Sequence, residues 1–307
     1  MSRHFDDLNL GSLELFCLTA ELHSFTAAAA SAGLTPAAVS RTVSRLEARL
    51  GVQLFVRTTR RVRLTEAGAS YHQQCRRALA DLVDAERELT GGQQSPTGLV
   101  RISLPTSYGH FGVLAVLPEF LQRHPGIELD VQLSNRNVDF TADGFDLAVR
   151  ARVPPDSGLV ARPLGGSELV VVASPRYLRK HGKPRTPEAL QGHECLGFYL
   201  PRTGQLVPWE FQRDGQTFEV LPTCRLRCLD DVLGPVTLAR HHGGLVQTMR
   251  LMVQDDLDAG RLVQVLKEYG GASRPFSLLY PAQRHMPRRV RVLVDFLVQR
   301  LGPRTHP

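Results

Sequence analysis

The chain has 307 residues, enough by the usual prior for two domains and a substantial core. Its 37 Lys and Arg outnumber 30 Asp and Glu, and the net charge of +7 fits nucleic acid or an anionic membrane surface as partner. No stretch reaches the roughly 18 apolar residues of a membrane span, and Asp6, Asp7, Glu14 and Glu21 keep the first residues from reading as a signal peptide, so the expected location is cytoplasmic, without membrane attachment.

In chain order, Asn9 to Leu22 predicts a first helix with Leu10, Leu13, Phe16, Cys17, Ala20 and Leu22 toward a core. Ser24 to Ala32, SFTAAAASA, opens on capping residues, is rich in alanine and ends at Gly33; it predicts a second, short helix able to pack closely. Thr35 can then cap a third helix, Pro36 suits its first position, and Gly51 can end it in the left-handed conformation. Val39, Val43, Leu46 and Leu50 form one apolar stripe. Ala37, Ser40, Arg41, Ser44 and Arg45 form the other face, small at first and then polar and cationic. Small residues let a helix start sit close to base edges, while Ser and Arg supply hydrogen bonds to bases and phosphates. Taken alone, this helix reads first as a solvated amphipathic one. Its neighbours decide: two short helices joined by a Gly-bearing turn make a helix-turn-helix.

Leu54 to Arg57 and Val62 to Leu64 predict two short strands around the basic tip Thr58, Thr59, Arg60 and Arg61, a wing suited to the phosphate backbone or a minor groove. From Leu34 to Thr65 there are seven arginines and one acid, Glu47, so 7 − 1 = +6 of the chain's +7 lies here. The DNA-facing candidates are Thr35, Pro36, Ala37, Ser40, Arg41, Ser44, Arg45, Arg57, Thr58, Thr59, Arg60 and Arg61. The run SFTAAAA…LTPAAVSRTVSRLEARLGVQLFVRTTRRVRLTEAG resembles the winged helix-turn-helix of the LysR-type transcriptional regulators along its whole length. One departure is Ala32, where the family usually carries Leu, which implies a slightly thinner core under the second helix.

Thr65 can cap a further helix, with Glu66 in its electropositive first turn. Tyr71, Cys75, Ala78, Leu82, Ala85 and Leu89 recur at 4, 3, 4, 3 and 4, a heptad seam on a helix about 37 Å long. The seam predicts a homodimer; a lone helix lying on the next domain is the alternative. The family resemblance favours the dimer, because its linker helices pair in this way, and paired reading helices one DNA turn apart fit an inverted repeat. A tetramer is a further expectation. Gly91 to Gly98 is a polar connector bearing Gly and Pro. The expected divisions are 1–65 for DNA binding, 66–94 for the linker helix and 95–307 for an effector domain.

From Leu99 onward strand and helix patterns alternate. Leu99 to Leu104, Ile127 to Leu133, Phe145 to Val149, Leu169 to Ala173, Cys195 to Tyr199, Gly244 to Val246 and Phe276 to Tyr280 predict strands. Of these, Leu169 to Ala173 is a continuous apolar run typical of a buried parallel strand. Helices are expected through Leu114, Leu117, Phe120 and Leu121, and over Arg288 to Leu301. The blocks VDFTADGFDLAVR, LVVVASPRYL, DAGRLVQVL and YPAQRHMPRRVRVLVDFL are similar to the LysR-type effector domain, so the resemblance covers essentially the whole chain. The implied fold is α/β, a winged helix-turn-helix N-terminal domain dominated by α-helix followed by a periplasmic-binding-protein-like, two-lobed effector domain. Its lobes would be about 99–163 plus 276–301, and 164–274, with a small-molecule site between them.

The loop Pro105-Thr106-Ser107-Tyr108-Gly109 follows a strand and opens a helix, where N–H donors and hydroxyls suit a carboxylate or similar group. Thr106 and Ser107 are the first candidates for effector binding, with Tyr108 beside them; simple helix capping is the alternative. Arg150, Arg152, Arg202 and Asp230 are further candidates, for each of which an ordinary surface or salt-bridged place is the plainer reading, and Gln247 is a candidate to face the site. Where the family often has a Gly-x-Gly-Ile-x-x-Leu-Pro turn, this chain reads His242 to Met249 and lacks the first Gly and the Pro.

Five cysteines without CxxC spacing argue against a disulfide framework or structural zinc. Cys17 and Cys75 fall on apolar helix faces; the resemblance raises oxidant sensing at Cys195, Cys224 and Cys228, with buried thiols as the plainer reading. No GxSxG, HExxH, Walker loop or GxGxxG occurs. His241-His242 and His193-Glu194-Cys195 are too compressed for metal ligation. No catalytic residue, metal or cofactor is therefore expected, and the chain reads as a regulator, not an enzyme. Its expected partners are double-stranded operator DNA, a small-molecule effector, further copies of itself and, for an activator, RNA polymerase. The competing readings are an enzyme or solute-binding protein with a borrowed DNA-binding head, and a sequence-neutral DNA-packaging protein.

Overall fold

Asn9, Ser24 and Thr35 start the first three helices, each side chain accepting from the backbone N–H three residues on, at 3.3, 3.2 and 3.2 Å. The helices are α1 (Leu10–Leu22), α2 (Phe25–Ala32) and α3 (Pro36–Leu50). Gly33 and Gly51 close the second and third in the left-handed region, φ +67° and +68°. These positions belong to a computed structural model that describes residues 9–57, 62–89, 95–140, 142–151, 158–200, 203–282 and 286–303. The chain divides at Gln94/Ser95 into two units, each described by itself.

In the first unit, Leu13, Phe16, Cys17, Ala20, Ala28, Ala29, Val39, Val43, Leu46, Leu54, Phe55 and Cys75 form one core. Three residues expected inside are outside: Leu10 and Leu22, 49% and 43% exposed, and Leu50 at 36%. They sit at helix ends, beyond the reach of a core this small. Ala32 is also exposed, so its short side chain does not thin the core. Strands β1 (Phe55–Arg57) and β2 (Val62–Leu64) pair antiparallel, Phe55 opposite Leu64. The wing tip Thr58, Thr59, Arg60 and Arg61 lies outside the described residues, as does the side chain of Arg57.

Helix α4 (Glu66–Leu89) starts where Thr65 Oγ1 accepts from Gly68 N (2.9 Å) while donating to the Gln53 carbonyl (2.8 Å). One hydroxyl thus caps the helix and binds it to the chain entering the wing. The heptad seam divides in two. The Tyr71 ring lies 5.6 Å from that of Phe16, Cys75 is buried, and Leu79 packs on the same core, so the first turns serve the head. Further along, Leu82 and Val83 are exposed, whereas the side chains of Ala85 and Leu89 lie outside the described set.

The second unit opens with β3 (Gly98–Leu104), whose Val100, Ile102 and Leu104 are fully buried. Helix α5 (Thr106–Tyr108) runs through a wider turn at Gly109–Val113 into α6 (Leu114–Arg123), which buries Leu117 and Phe120 but leaves Leu121 37% exposed. Next come β4 (Ile127–Leu133), β5 (Leu147–Arg150), β6 (Leu159–Ala173) and α7 (Pro175–His181), capped by Ser174. Then follow β7 (Gly197–Tyr199), β8 (Trp209–Arg213), β9 (Gln216–Val220), β10 (Arg227–Leu229), α8 (Leu233–Arg240), β11 (Val246–Met249), α9 (Gln254–Asp258), β12 (Val263–Val265), β13 (Ser273–Pro281) and α10 (Arg288–Leu301).

The main sheet runs in the order β11-β6-β13-β5-β3-β4, with β12 also on β6. Strands β6 and β13 are long antiparallel partners from Ser273↔Glu168 to Pro281↔Leu159, and they carry the sheet between two lobes. At one end β13 pairs with β5; at the other, β6 pairs with β11 and β12. The run Leu169–Ala173 is buried as its composition implies, but its neighbours are antiparallel, not parallel. An apolar run reports burial on both faces and leaves strand direction open.

Candidate nucleic-acid interface and effector cleft

Val39, Val43 and Leu46 lock α3 into the head, with exposures of 0, 0 and 3%. The opposite face is fixed by the helical period: Thr35, Pro36, Ala37, Arg41, Ser44 and Arg45 are exposed and Ser40 is half-buried. Glu47 has a separate part that its sequence position does not reveal. Its Oε1 accepts from the backbone N–H of Leu54 (2.8 Å) and of Phe55 (3.1 Å), tying the reading helix to the wing. The one acid in the cationic stretch thus accepts from two backbone donors, while Arg41 and Arg45 are exposed on the outward face.

In the second unit the loop at Thr106 does not use its hydroxyls as helix caps. Pro105 holds the cap position without a side-chain bond, and the Thr106 N–H is met from another strand end by Asn135 Oδ1 at 3.1 Å. Thr106 Oγ1 accepts from Asn135 Nδ2 at 2.9 Å. Ser107 and Tyr108 are buried, and the Tyr108 ring stacks on Phe276 at 4.3 Å; burial pushes its hydroxyl up to about 12. Tyr108 is thus part of the framework under the loop.

Arg150 ends β5 with neutral partners: Nη1 donates to the carbonyls of Ser103 (3.2 Å) and Val149 (2.6 Å), Nη2 to Ser103 Oγ (2.8 Å) and the Arg136 carbonyl (2.8 Å). Its Nε is buried without a hydrogen-bond partner among the described residues. Burial lowers its pKa to about 10, which leaves the guanidinium charged at neutral pH. No carboxylate pairs with it among the described residues. A half-buried cation satisfied only by neutral oxygens is a site where an anion gains charge-assisted bonds.

The remaining candidates separate. Asp230, expected at the head of a helix, is not its cap: Asp231 Oδ1 accepts from Leu233 N at 2.9 Å, and Asp230 sits upstream at φ +64°. The Asp230 carboxylate lies 3.5 Å from Arg136 Nη2. Both ends of the Gln247 amide are engaged with the backbone of Glu210, at 2.8 and 2.7 Å, which zips β11 to β8. Arg152 and Arg202 lie outside the described residues.

Residues 10–69 match the family profile of the bacterial regulatory helix-turn-helix protein, lysR family, and residues 93–302 match that of the LysR substrate binding domain. The chain belongs to the LysR-type transcriptional regulators. An HTH-type transcriptional regulator of Xanthomonas campestris pv. campestris is 36% identical over 296 residues, covering 96% of this chain and 86% of that protein. The structure of CrgA, a LysR-type transcriptional regulator from Neisseria meningitidis, matches with a TM-score of 0.60 at 33% identity, covering 97% of this chain and 100% of that one. The full-length structure of the Vibrio cholerae virulence activator AphB matches with a TM-score of 0.60 at 28% identity, covering 95% and 99%.

As a LysR-type regulator the chain couples a DNA-binding winged helix-turn-helix to a two-lobed effector domain. Its effector-domain thiols sit in surroundings that disfavour the reactive thiolate: burial pushes Cys195 up to about 12 and also raises Cys224 and Cys228. Among the described residues no group of three or more His, Cys, Asp or Glu is placed to hold a metal ion, and no helix is long and apolar enough to cross a membrane. Sequence reasoning missed Glu47, Ser103 and Asn135. Glu47 carried a usable signal as a lone acid in a basic run. Ser103 and Asn135 act through partners 47 and 95 residues away, which local patterns do not encode.

Proposed function

We propose that this LysR-type regulator reads an inverted-repeat operator with two copies of α3. Ser40, Arg41, Ser44 and Arg45 face base edges, Thr35 to Ala37 approach the groove, and Arg57 to Arg61 on the wing hold the backbone. The reading rests on one observation: α3 is clamped by a buried stripe on one side and exposes Arg41 and Arg45 on the other. The exposed Leu82 and Val83 on α4 support pairing of two chains through the outer half of that helix. A dimer presents both reading helices, two dimers form a tetramer, and RNA polymerase is the partner where the protein activates. The work is done in the cytoplasm, by binding and without catalysis.

In the effector domain, Arg150 grips the anionic group of a small molecule, a carboxylate or its equivalent, with Thr106 and Ser107 lining the approach. The buried, unpaired Nε supports this. Binding changes transcription to the extent that the effector prefers one arrangement of the protein over another.

The test compares Arg41→Ala with Arg60→Ala on the promoter fragment upstream of the protein's own reading frame. Arg41→Ala is expected to relax sequence preference at one position, at about 1–3 kcal/mol, whereas Arg60→Ala weakens binding to all sequences and reduces the salt slope by about one. Equal, sequence-blind losses from both substitutions would remove α3 as the reader and favour a DNA-packaging protein.

A further inference from the structure

Arg150 and the loop after β4 form one hydrogen-bonded path across the effector domain. Arg150 Nη2 holds the Arg136 carbonyl at 2.8 Å. Its neighbour Asn135 has both ends of its carboxamide in use. Oδ1 accepts from Thr106 N at 3.1 Å, and Nδ2 donates to Thr106 Oγ1 at 2.9 Å and to the Asp230 carbonyl at 2.7 Å. Thr106 and Asn135 follow β3 and β4 at one end of the main sheet; Asp230 lies between β10 and α8, and α8 packs on β11 and β6 at the other end. Arg136 adds its 3.5 Å approach to the Asp230 carboxylate, and Asp230 itself takes a left-handed φ of +64°.

We propose that Asn135 is a positioning residue of the effector site: it ties the start of α5 to the Asp230 carbonyl across the cleft, and a carboxylate taken up by Arg150 loosens that tie. The second half rests on the reading of Arg150 given above. A guanidinium engages a carboxylate through a fork of two N–H groups, and here Nε has no partner while Nη2 gives one of its bonds to the neutral carbonyl of Arg136. An ionic acceptor on the Nε/Nη2 edge outcompetes that carbonyl. The loop 134–136 then loses its anchor, and the bonds from Asn135 and Arg136 to Asp230 weaken together. Asn135 fits this part because its amide alone supplies both the acceptor for Thr106 and the donor for Asp230.

The experiment is amide hydrogen exchange on the full-length chain, with sodium benzoate as probe and sodium chloride at equal ionic strength as control. Without benzoate, Asn135→Ala is expected to speed exchange over residues 229–233 about fivefold or more, the scale of one lost hydrogen bond. Asn135→Asp keeps the acceptor for Thr106 and loses the donor to Asp230. It is expected to speed 229–233 equally while leaving 105–109 as protected as in the parent, and it stays informative if the alanine variant folds poorly. Unchanged exchange over 229–233 in the aspartate variant overturns the tie. With benzoate, the parent is expected to gain exchange over 229–233, and Arg150→Gln is expected to show no such gain. Benzoate that protects the Ser103 and Arg150 segments without moving 229–233 overturns the coupling. Benzoate that protects neither segment overturns the carboxylate reading of Arg150, a result separate from the tie, which the benzoate-free comparison decides.

Discussion

Glu47 Oε1 stands 2.8 Å from the backbone nitrogen of Leu54, seven residues on and past the end of α3. A carboxylate that accepts from two consecutive N–H groups fixes the angle at which the chain leaves the reading helix for the wing. Glu47→Ala leaves both donors without this acceptor and is expected to destabilise the head by roughly 1–3 kcal/mol. Glu47→Gln, which keeps an oxygen acceptor, should lose less. Urea unfolding of the two variants checks this, and equal stability of Glu47→Ala and the parent would refute it.

Leu54 is held from its other side as well. A Cβ placed on Gly68 in the first turn of α4 would lie 2.0 Å from the Leu54 carbonyl oxygen, a backbone atom with no rotamer to escape into. Gly68→Ala must push the helix off the wing strand and is expected to destabilise the head by about 3 kcal/mol or more. Gly192→Ala, where nothing lies within 4 Å, serves as the control. Thermal melts of the two variants separate a local clash from a general intolerance of substitution.

The divided seam of α4 makes a positional prediction about self-association. Leu82 is 47% exposed, whereas Cys75, two turns earlier, is 4% exposed and belongs to the head. Leu82→Asp is therefore expected to weaken dimerisation at least about tenfold, the effect of roughly 1.4 kcal/mol, without lowering the stability of the head. Sedimentation equilibrium measures the first and urea unfolding the second. An unchanged dimer would place the contact elsewhere.

Asp256 makes acid sensitivity specific to one corner of the effector domain. Burial raises its carboxyl, but hydrogen bonds from Arg240 Nε (2.7 Å) and Arg261 Nε (2.6 Å) outweigh it, and the net position is below the ordinary carboxylate value. A depressed folded pKa gives stability that is complete above the unfolded value of about 4 and is lost as pH falls through the folded one. Asp256→Asn should lower Tm by a few degrees at pH 7. The gap to the parent should close as the pH drops below about 4. A gap independent of pH would show that shape, not charge, holds α8 to α9.

What could be read in the sequence follows the range of the interactions. The head was legible because its signals are local: Ser24, Thr35 and Thr65 cap helices from adjacent positions, and Gly33 and Gly51 end them. The final helix, with Val290, Leu293, Val294 and Leu297 inward, was legible from its period alone. Strand β6 was seen only in its last five residues, because Pro163, Gly165 and Gly166 look like breakers until a long partner strand supports them. The β8/β9 hairpin was overlooked despite a local mark, Asp214-Gly215 with both φ positive at its turn. The surroundings of the effector candidates were the least legible, since Thr106, Arg150 and Asp230 are given their partners by folding at separations of 29, 47 and 95 residues.

The two strands that join the lobes change register between Arg274 and Phe276, at Pro275, opposite Gly165 and Gly166. A Cβ on Gly166 would fall 2.6 Å from the Arg274 carbonyl oxygen, so the close approach of the two backbones where the ladder is broken requires glycine. Such a break bends a strand and increases the local twist of the pair. A rotation of one half of the domain against the other would therefore meet the least backbone pairing at this break.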